Sequence, residues 1–273
     1  MKVIMVVAVC DTGSTLSNTA NVAESQRQQL CRHMKDQRIR VGCSGWYYWH
    51  WKGVVYPADL PTHQWLAHYQ RTFDTVELNA PFYHWPRLAT VQNWARQASP
   101  EFKYSVKVNR RITHLKRFMR TRKLVHDFCG FAEALGEHMG CFLFQLPPSF
   151  HFTAARLRSI ITQLDPRQRN AVEFRHGSWW NKEVFAAFRE AGLIFCSVSA
   201  PHLPDDVIKT TNAVYLRFHG AKQWYRHGYS DAELEAWAKK IRGRRTKEVW
   251  AYFNNDFQGC AFRNAETLSR LLR

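Results

Sequence analysis

The chain has 273 residues, of which 45% are hydrophobic and 14% aromatic, and 39 Lys and Arg against 22 Asp and Glu give it a formal net charge of +17. This much apolar surface excludes an intrinsically disordered chain, and the length fits either one large domain or two small ones. The positive charge favours anionic partners but carries no information about the fold.

The N-terminal segment differs in composition from the rest. Residues 11–37 are polar and rich in Ser, Thr, Asn and Gln, and the apolar stretch 3–10 before them has no partner strand. We expect residues 1–37 to be a poorly ordered extension of a domain that spans 38–273, with a native start at Met34 as a hypothesis. The apolar stretch is too short to cross a membrane, and seven scattered cysteines without a C-x-x-C pair argue against disulfides. We therefore expect no membrane association and a cytoplasmic location.

From residue 38 onward, short apolar strands alternate with helical segments, which is typical of a parallel sheet covered by helices. Strands are predicted at residues 39–44, 75–79, 103–109, 141–146, 171–175, 193–199, 213–219 and 248–254. Helices are predicted at residues 62–72, 87–97, 121–139, 153–164, 182–191, 231–242 and 263–272. No helix is predicted at residues 201–212, so the crossover after the sixth strand should be irregular. The pattern predicts an α/β fold, a single (β/α)8 barrel of the TIM type.

Polar residues recur at every second position near the ends of five predicted strands. The pairs are Glu77 and Asn79, Lys107 and Asn109, Glu173 and Arg175, Arg217 and His219, and Tyr252 and Asn254. The residues between them are apolar, and a period of two places each pair on one face of the sheet. In a barrel that face is the lumen, so these side chains should converge at the carboxyl-terminal mouth, where barrel enzymes place their catalytic groups.

The predicted lumen sets three cations against two carboxylates, namely Lys107, Arg175 and Arg217 against Glu77 and Glu173. These cations suit a phosphorylated, carboxylated or sugar-like ligand. Two carboxylates in different surroundings also suit acid–base chemistry, with His219 as a further candidate. The structural alternative is that Glu173 and Arg175 pair and fill the lumen with charge. With two Glu and one His facing inward, and no H-E-x-x-H motif, dinucleotide fingerprint or P-loop, neither a metal nor a cofactor is predicted.

Aromatic residues crowd the segments that follow the first, second and fifth strands. They are Trp46, Tyr47, Tyr48, Trp49, Trp51, Tyr56, Phe82, Tyr83, Trp85, Trp179 and Trp180. Rings exposed at the mouth would stack on a sugar or a base, whereas rings packed on one another would cap the barrel. Both interpretations fit the sequence.

Two basic runs indicate a second class of function. Residues 103–123 contain nine Lys and Arg and no acidic residue, and residues 239–247 contain six. Such runs are either solvated surface or sites for nucleic acid. An analogy with barrel nucleases that use metal clusters points the same way, although His and Asp are scarce at the strand ends here.

Eight stretches, taken in chain order, are similar to one protein family. They are VGCSGW at 41–46, TVELNAPFY at 75–83, FKYSVK at 102–107, ITH at 112–114, FQLPPSF at 144–150, AVEFRH at 171–176, YLRFHG at 215–220 and YFNND at 252–256. Together they resemble the YecE-like family, known as domain of unknown function 72, over nearly all of residues 39–273. The resemblance implies a TIM barrel and no particular reaction.

The family's recurring polar positions correspond here to Glu77, Asn79, Lys107, His114, Gln145, Glu173, Arg175, His176, Arg217, His219 and Asn254. We predict Glu77, Glu173 and His219 as catalytic candidates. The predicted ligand-binding residues are Asn79, Tyr83, Lys107, His114, Gln145, Arg175, His176, Trp179, Arg217 and Asn254. The leading hypothesis is a metal-independent enzyme acting on an anionic or sugar-like ligand. The alternatives are a nucleic-acid-binding or nucleic-acid-processing barrel and a non-catalytic small-molecule-binding protein.

Overall fold

Eight short strands alternate with helices through residues 37–273, which are the residues that the computed structural model describes, apart from the side chain of Ala132. The strands are β1 Arg38–Cys43, β2 Thr75–Leu78, β3 Lys103–Lys107, β4 Met139–Gln145, β5 Asn170–Glu173, β6 Ile194–Ser199, β7 Ala213–Phe218 and β8 Glu248–Phe253. Every pairing between neighbouring strands in this part of the chain is parallel. The predicted extension up to Asp36, and the start hypothesised at Met34, lie outside the described residues.

The sheet curls into a nearly closed barrel. Each strand from β2 to β8 pairs with its sequence neighbour and β8 pairs with β1, so within the described chain only the β1–β2 edge lacks a ladder. The Tyr69 hydroxyl stands at that edge, accepting a hydrogen bond from Cys43 N (2.8 Å) and donating one to Thr75 O (3.0 Å). A Cβ at position 42 would lie 2.3 Å from Thr75 O, so Gly42 permits this close approach. The predicted (β/α)8 barrel is confirmed.

Nine α-helices surround the strands in residues 37–273. They are α1 Trp65–Tyr69, α2 Ala80–Tyr83, α3 Leu88–Gln97, α4 Arg122–Cys129, α5 Phe131–Leu135, α6 Ala154–Ile161, α7 Lys182–Glu190, α8 Asp231–Gly243 and α9 Cys260–Leu272. The helix predicted at 121–139 is divided at Gly130, a poor helix former, and its end at Met139 belongs to β4. In that described range no helix is long and apolar enough to cross a membrane.

The crossover between β6 and β7 is irregular, as predicted, with no helix in residues 200–212. Side-chain oxygens replace the missing helical hydrogen bonds. Ser197 Oγ accepts a hydrogen bond from Ile208 N (2.8 Å), while Thr210 Oγ1 accepts one from Phe195 N (3.0 Å). Val207 is fully buried in the helix-facing core, where a crossover helix would otherwise pack.

The two faces of the sheet carry different cores. The helix-facing core contains Val76, Leu78, Val106, Phe174, Phe218 and Phe253, which are the apolar residues that alternate with the polar pairs. The lumen holds a smaller apolar cluster that includes Cys141, Leu143, Ala171, Cys196, Tyr215, Trp250 and Tyr252. The first member of each polar pair therefore faces the lumen, and the second member follows the end of its strand at the carboxyl-terminal mouth. The five cysteines of the described chain are free thiols.

Candidate functional site

Arg217 lies at the centre of the polar lumen. Its Nη1 donates to Glu173 Oε2 at 2.7 Å and its Nη2 donates to Glu77 Oε1 at 2.6 Å. The three side chains come from β7, β5 and β2, and all three are buried. One guanidinium group therefore ties two carboxylates together across the barrel, a fork geometry that lysine cannot supply.

The other carboxylate oxygens of Glu77 and Glu173 also accept hydrogen bonds. Glu77 Oε1 accepts from Ser44 Oγ and Glu77 Oε2 accepts from Tyr215 OH, each at 2.6 Å. Glu173 Oε1 accepts from Arg175 Nε and lies 3.0 Å from His219 Nε2. Ser44, Glu77, Glu173, Tyr215 and Arg217 form what we call the buried charge network. All four of its carboxylate oxygens are bonded to the protein.

The partners of Glu173 and Arg217 stabilise the charges of these two side chains. Burial alone would raise the pKa of Glu173, but Arg175 and Arg217 outweigh it and hold that pKa well below its ordinary value. Burial likewise opposes the charge on Arg217, and the two carboxylates overcome it and raise the guanidinium pKa. Glu173 is thus a permanent anion, which suits holding cations in place better than giving up a proton.

His219 is a neutral member of the site. Asn254 Nδ2 donates to its Nδ1 (3.2 Å), so the ring carries its proton on Nε2 and donates it to Glu173. Burial, followed by the nearby charge of Arg175, lowers the pKa of His219 well below its ordinary value. The imidazole thus orients Glu173 without adding charge.

Above the network lie the partly exposed side chains of Lys107 and His114 and the nearly buried side chain of Arg175, which we call the mouth residues. Lys107 Nζ lies 4.0 Å from the centroid of the Phe82 ring. Among residues 37–273 it has no carboxylate within salt-bridge distance. Burial, together with the positive charge of Arg217, lowers the pKa of Lys107 to about 7. Its amine therefore exists in both protonation states near neutrality.

His114 rests on the same aromatic ring, with its ring centroid 5.0 Å from that of Phe82. It belongs to a π-helical turn, Arg111–Leu115, that the sequence pattern does not predict. Its Nδ1 is 3.0 Å from Thr113 Oγ1, and its Nε2 is 3.5 Å from Gln145 Nε2. Burial and the charge of Lys107 lower the pKa of His114 to about 4, so this imidazole is also neutral at pH 7.

Arg175 connects the network to the mouth. Its Nε bonds to Glu173, its Nη2 lies 3.1 Å from His219 Nε2, and its guanidinium carbon stacks 4.5 Å from the Trp224 ring centroid. Trp224 is carried by a tight turn at Gly220, where φ is +105° and a Cβ would lie 2.3 Å from Gln223 O. Only glycine suits that turn, which folds Trp224 back over His219 at a ring distance of 5.4 Å.

Other predicted ligand-binding residues lie at the edge of this group or outside it. Asn79 donates to Ser44 O (3.1 Å), and Tyr83 is exposed beside Phe82. His176 stacks on His151 with ring centroids 3.9 Å apart and caps a short 3-10 turn. Trp179 is fully buried in the helix-facing core, stacked 3.9 Å from Phe174, and so does not line the mouth.

The aromatic residues after β1 divide between core and surface. Trp51 and Tyr56 are fully buried and, with Trp65 of α1, pack on one another in the helix-facing core. Asp256 anchors Trp51 by accepting a hydrogen bond from its Nε1 (2.8 Å). Trp49 is 64% exposed and contacts the Trp65 ring edge-on.

Sequence reasoning missed Ser44, Tyr215 and Trp224. Tyr215 precedes Arg217 by two residues, so extending the same period of two down the strand would have found it. Ser44 lies in a glycine-rich turn that looks generic. Trp224 follows the seventh strand, just as the predicted aromatic groups follow the first, second and fifth strands.

Most of the first basic run lies at the mouth, whereas the second lies at the other end of the barrel. Residues 108–121 follow β3 at the mouth, whereas residues 239–247 close α8 and lead into the start of β8. Arg110, Arg111, Lys116 and Arg120 of the first run are exposed, and none forms an ion pair within the described residues. The chain thus has a basic rim at the mouth, defined by these four residues, and a separate basic surface at the other end.

No group of three or more His, Cys, Asp or Glu side chains in residues 37–273 is arranged to hold a metal ion. The site is a TIM-type barrel mouth in which a buried charge network lies beneath a partly exposed amine and imidazole and a nearly buried guanidinium group. A family model described as protein of unknown function DUF72 matches residues 40–273, and the chain belongs to that family. The resemblance noted from the sequence is therefore confirmed.

Two relatives support the assignment in sequence. The UPF0759 protein YunF of Bacillus subtilis is 25% identical, covering 86% of this chain and 94% of its own length. The crystal structure of a DUF72 family protein from Thermotoga maritima is 31% identical with a TM-score of 0.79, covering 86% of this chain and 99% of that one. A DUF72 family structure from Enterococcus faecalis, 21% identical with a TM-score of 0.74 over 86% of this chain and 95% of that one, shows the shared fold alone.

Proposed function

We propose that this protein is an enzyme that binds an anionic small molecule at the mouth of its barrel. The observation that supports this most is the balance of charge. Every oxygen of Glu77 and Glu173 is bonded to a neighbour, whereas Lys107 Nζ has no carboxylate partner among residues 37–273. A half-buried cation without a counter-ion is costly, and a phosphate or carboxylate group on a ligand would relieve that cost.

The proposed roles differ from the sequence-based predictions for Glu77 and Glu173. Buried and fully bonded carboxylates are poorly placed to exchange protons with a ligand, so we assign both to positioning Arg217 and Arg175. Arg175 donates to Glu173 through Nε. His219 Nε2 lies 3.1 Å from Arg175 Nη2 but carries its own proton and cannot accept, so both Nη1 and Nη2 keep N–H groups for an anionic group. Of the mouth residues, we assign His114 and Lys107 to proton exchange with the ligand.

Binding of inorganic phosphate and of glycolate tests the anion site, with glycerol as the neutral comparison. We expect both anions to raise the melting temperature of the wild type and glycerol to have no effect, because ligands that bind the native state stabilise it. Lys107→Met should abolish the shift. Lys103→Met, at the other end of the same strand, should retain it. Equal anion-induced shifts in both variants would contradict the proposal.

Catalysis is tested separately from binding. A metabolite extract incubated with wild type or with Lys107→Met is compared by mass spectrometry for compounds consumed and formed. Turnover that depends on Lys107 supports an enzyme. Anion binding without turnover of any compound would instead favour the non-catalytic small-molecule-binding protein.

The basic rim favours nucleic acid as a second candidate ligand. Arg110, Arg111, Lys116 and Arg120 are exposed beside the mouth without ion-pair partners in the described chain. Phosphate contacts make affinity fall steeply with salt, so titration of single-stranded and duplex DNA across salt concentrations measures their contribution. Absence of binding at physiological salt would remove this candidate.

A further inference from the structure

Lys107 has surroundings that suit a reactive amine. An ammonium group held by a carboxylate keeps its proton, but the neighbour of Lys107 Nζ is the Phe82 ring face at 4.0 Å. Within residues 37–273 both lumen carboxylates are occupied by Arg217 and Arg175 instead. Lys107 is the last residue of β3, so its side chain reaches the mouth from the end of a strand.

We infer that Lys107 is a nucleophile that forms a Schiff base, and that the anionic ligand of the proposed function is an aldehyde or ketone. This inference rests on the proposed function and adds the chemical class of its substrate. It follows from three placements: an amine without a carboxylate partner among residues 37–273, an imidazole on the same Phe82 ring, and a guanidinium group nearby whose Nη1 and Nη2 remain for an anion.

The protonation of the amine agrees with this role. Burial first, and then the charge of Arg217, lower the pKa of Lys107 to about 7, so a large fraction of the amine carries a free electron pair at neutral pH. Lysines made nucleophilic by desolvation or by a neighbouring cation are a recognised means of covalent catalysis.

The step conserves atoms and charge. The Lys107 nitrogen pair attacks the carbonyl carbon, forming a C–N bond while the C=O π pair moves onto oxygen. A proton passes from nitrogen to that oxygen, giving a carbinolamine. The nitrogen pair then forms C=N as the C–O bond breaks, and the oxygen leaves as water after taking one further proton from solvent. The resulting iminium ion withdraws electrons from the substrate.

The anionic group of the substrate would lie on the Arg175 side. That guanidinium group is oriented by Glu173, which binds Nε, and by the Trp224 ring at 4.5 Å, so Nη1 and Nη2 are its remaining donors. The substrate class is therefore a carbonyl compound with a carboxylate or phosphate close to the carbonyl carbon. Planar guanidinium groups bind both anions in a bidentate manner.

Reductive trapping tests the inference in the full-length protein. The protein is incubated near neutral pH with glyoxylate and cyanoborohydride, which delivers hydride to an iminium carbon and leaves a stable secondary amine. Peptide mapping by mass spectrometry then gives the labelling rate of each lysine. We expect Lys107 to be labelled about tenfold faster than Lys103 or more, because its lowered pKa frees the amine. Labelling of Lys107 no faster than Lys103 would overturn the inference.

Lys107→Arg is the matched variant, because it keeps a cation at the mouth but cannot form an imine. We expect it to bind phosphate, as judged by the melting temperature, and to lose the fast labelling. Lys103→Arg should keep fast labelling at Lys107. A fast-labelled site that persists in Lys107→Arg would contradict the assignment to Lys107.

Two comparisons separate failure of this inference from failure of the proposed function. If phosphate stabilises the wild type and Lys107→Arg while Lys107 is labelled slowly, the anion site stands and the Schiff-base role is overturned. If Lys107 is labelled quickly by glyoxylate and by neutral glycolaldehyde alike, and phosphate does not protect it, the nucleophile is supported and the anionic ligand is overturned. Fast labelling that prefers glyoxylate and is slowed by phosphate supports both.

Discussion

The buried charge network and the mouth residues are neighbours with opposite properties. In the network, Glu77, Glu173 and Arg217 are buried, and their carboxylates are fully bonded. At the mouth, Lys107 and His114 are half-buried and are held by ring contacts or weak polar contacts. The first group resembles a structural plug, and the second has the unsatisfied groups that a ligand needs.

This difference assigns separate tasks to residues that look equivalent in sequence. Glu77, Lys107, Glu173 and Arg217 are all polar side chains near the ends of strands, yet the carboxylates of the network are fully hydrogen-bonded, whereas Lys107 has no carboxylate partner among residues 37–273. Arg217 within the network and Arg175 above it together balance the two carboxylates, and the bond to Glu173 fixes Arg175, the one mouth residue that bonds to the network. Preorganised charge of this kind is what a binding or catalytic site requires.

Removing the centre of the network should have the largest effect. Arg217→Met would leave Glu77 and Glu173 as buried anions deprived of their shared cation. We expect a loss of about 3–5 kcal/mol in the free energy of unfolding, measured by urea titration. Arg169→Met, which breaks an exposed pair with Glu248, is the control and should cost about 1 kcal/mol or less. Similar losses in the two variants would mean that the network does not hold buried charge.

Two neighbouring tyrosines offer a finer comparison inside the lumen. The Tyr215 hydroxyl donates to the charged Glu77 Oε2, whereas the Tyr252 hydroxyl lies 2.6 Å from Thr75 Oγ1 and 2.8 Å from Ser105 Oγ, both neutral. Tyr215→Phe should lower the free energy of unfolding by about 1.5–3 kcal/mol, and Tyr252→Phe by about 0.5–1.5 kcal/mol. The same urea titration measures both, and a larger loss for Tyr252→Phe would reverse the expected order.

The pH dependence of stability tests the mouth without a ligand. The pKa of Lys107 is about 7 in the folded protein and lies below its ordinary value, so between these values the unfolded chain binds more protons. The free energy of unfolding therefore gains a contribution as pH rises above about 7, and loses it as pH falls. We expect the difference between wild type and Lys107→Met to change in that direction from near pH 7 to about pH 8.5. A difference that stays constant would indicate an ordinary lysine.

The sequence was sufficient to predict the barrel fold and the face of the sheet on which the polar residues lie. Alternation of Glu173 with Phe174 and of Arg217 with Phe218 is a local property, and a closed sheet leaves only one face for the polar members. The irregular crossover was also predictable, because no helical pattern occurs between residues 200 and 212.

The division between network and mouth was not predictable from the sequence. It depends on which cation meets which carboxylate across the barrel, and contacts such as Arg217 with Glu77 join residues 140 positions apart. Trp179 follows β5 just as an aromatic ligand-binding residue would, yet its rotamer turns it into the helix-facing core. Strand spacing gives the face of a residue, whereas pairing and rotamer depend on packing in three dimensions.

The two basic surfaces provide the comparison with the smallest expected effect on stability. Arg110 and Arg111 lie on the rim at the mouth, and Arg244 and Arg245 lie at the opposite end, all four exposed. The double variants Arg110→Gln/Arg111→Gln and Arg244→Gln/Arg245→Gln should each change the free energy of unfolding by less than about 0.5 kcal/mol. If nucleic acid binds at the mouth, only the first variant should flatten the dependence of log affinity on log salt, by about one for each arginine that contacts phosphate. A loss of slope shared equally by both variants would indicate general attraction to a basic protein, and it would leave the mouth to small anions alone.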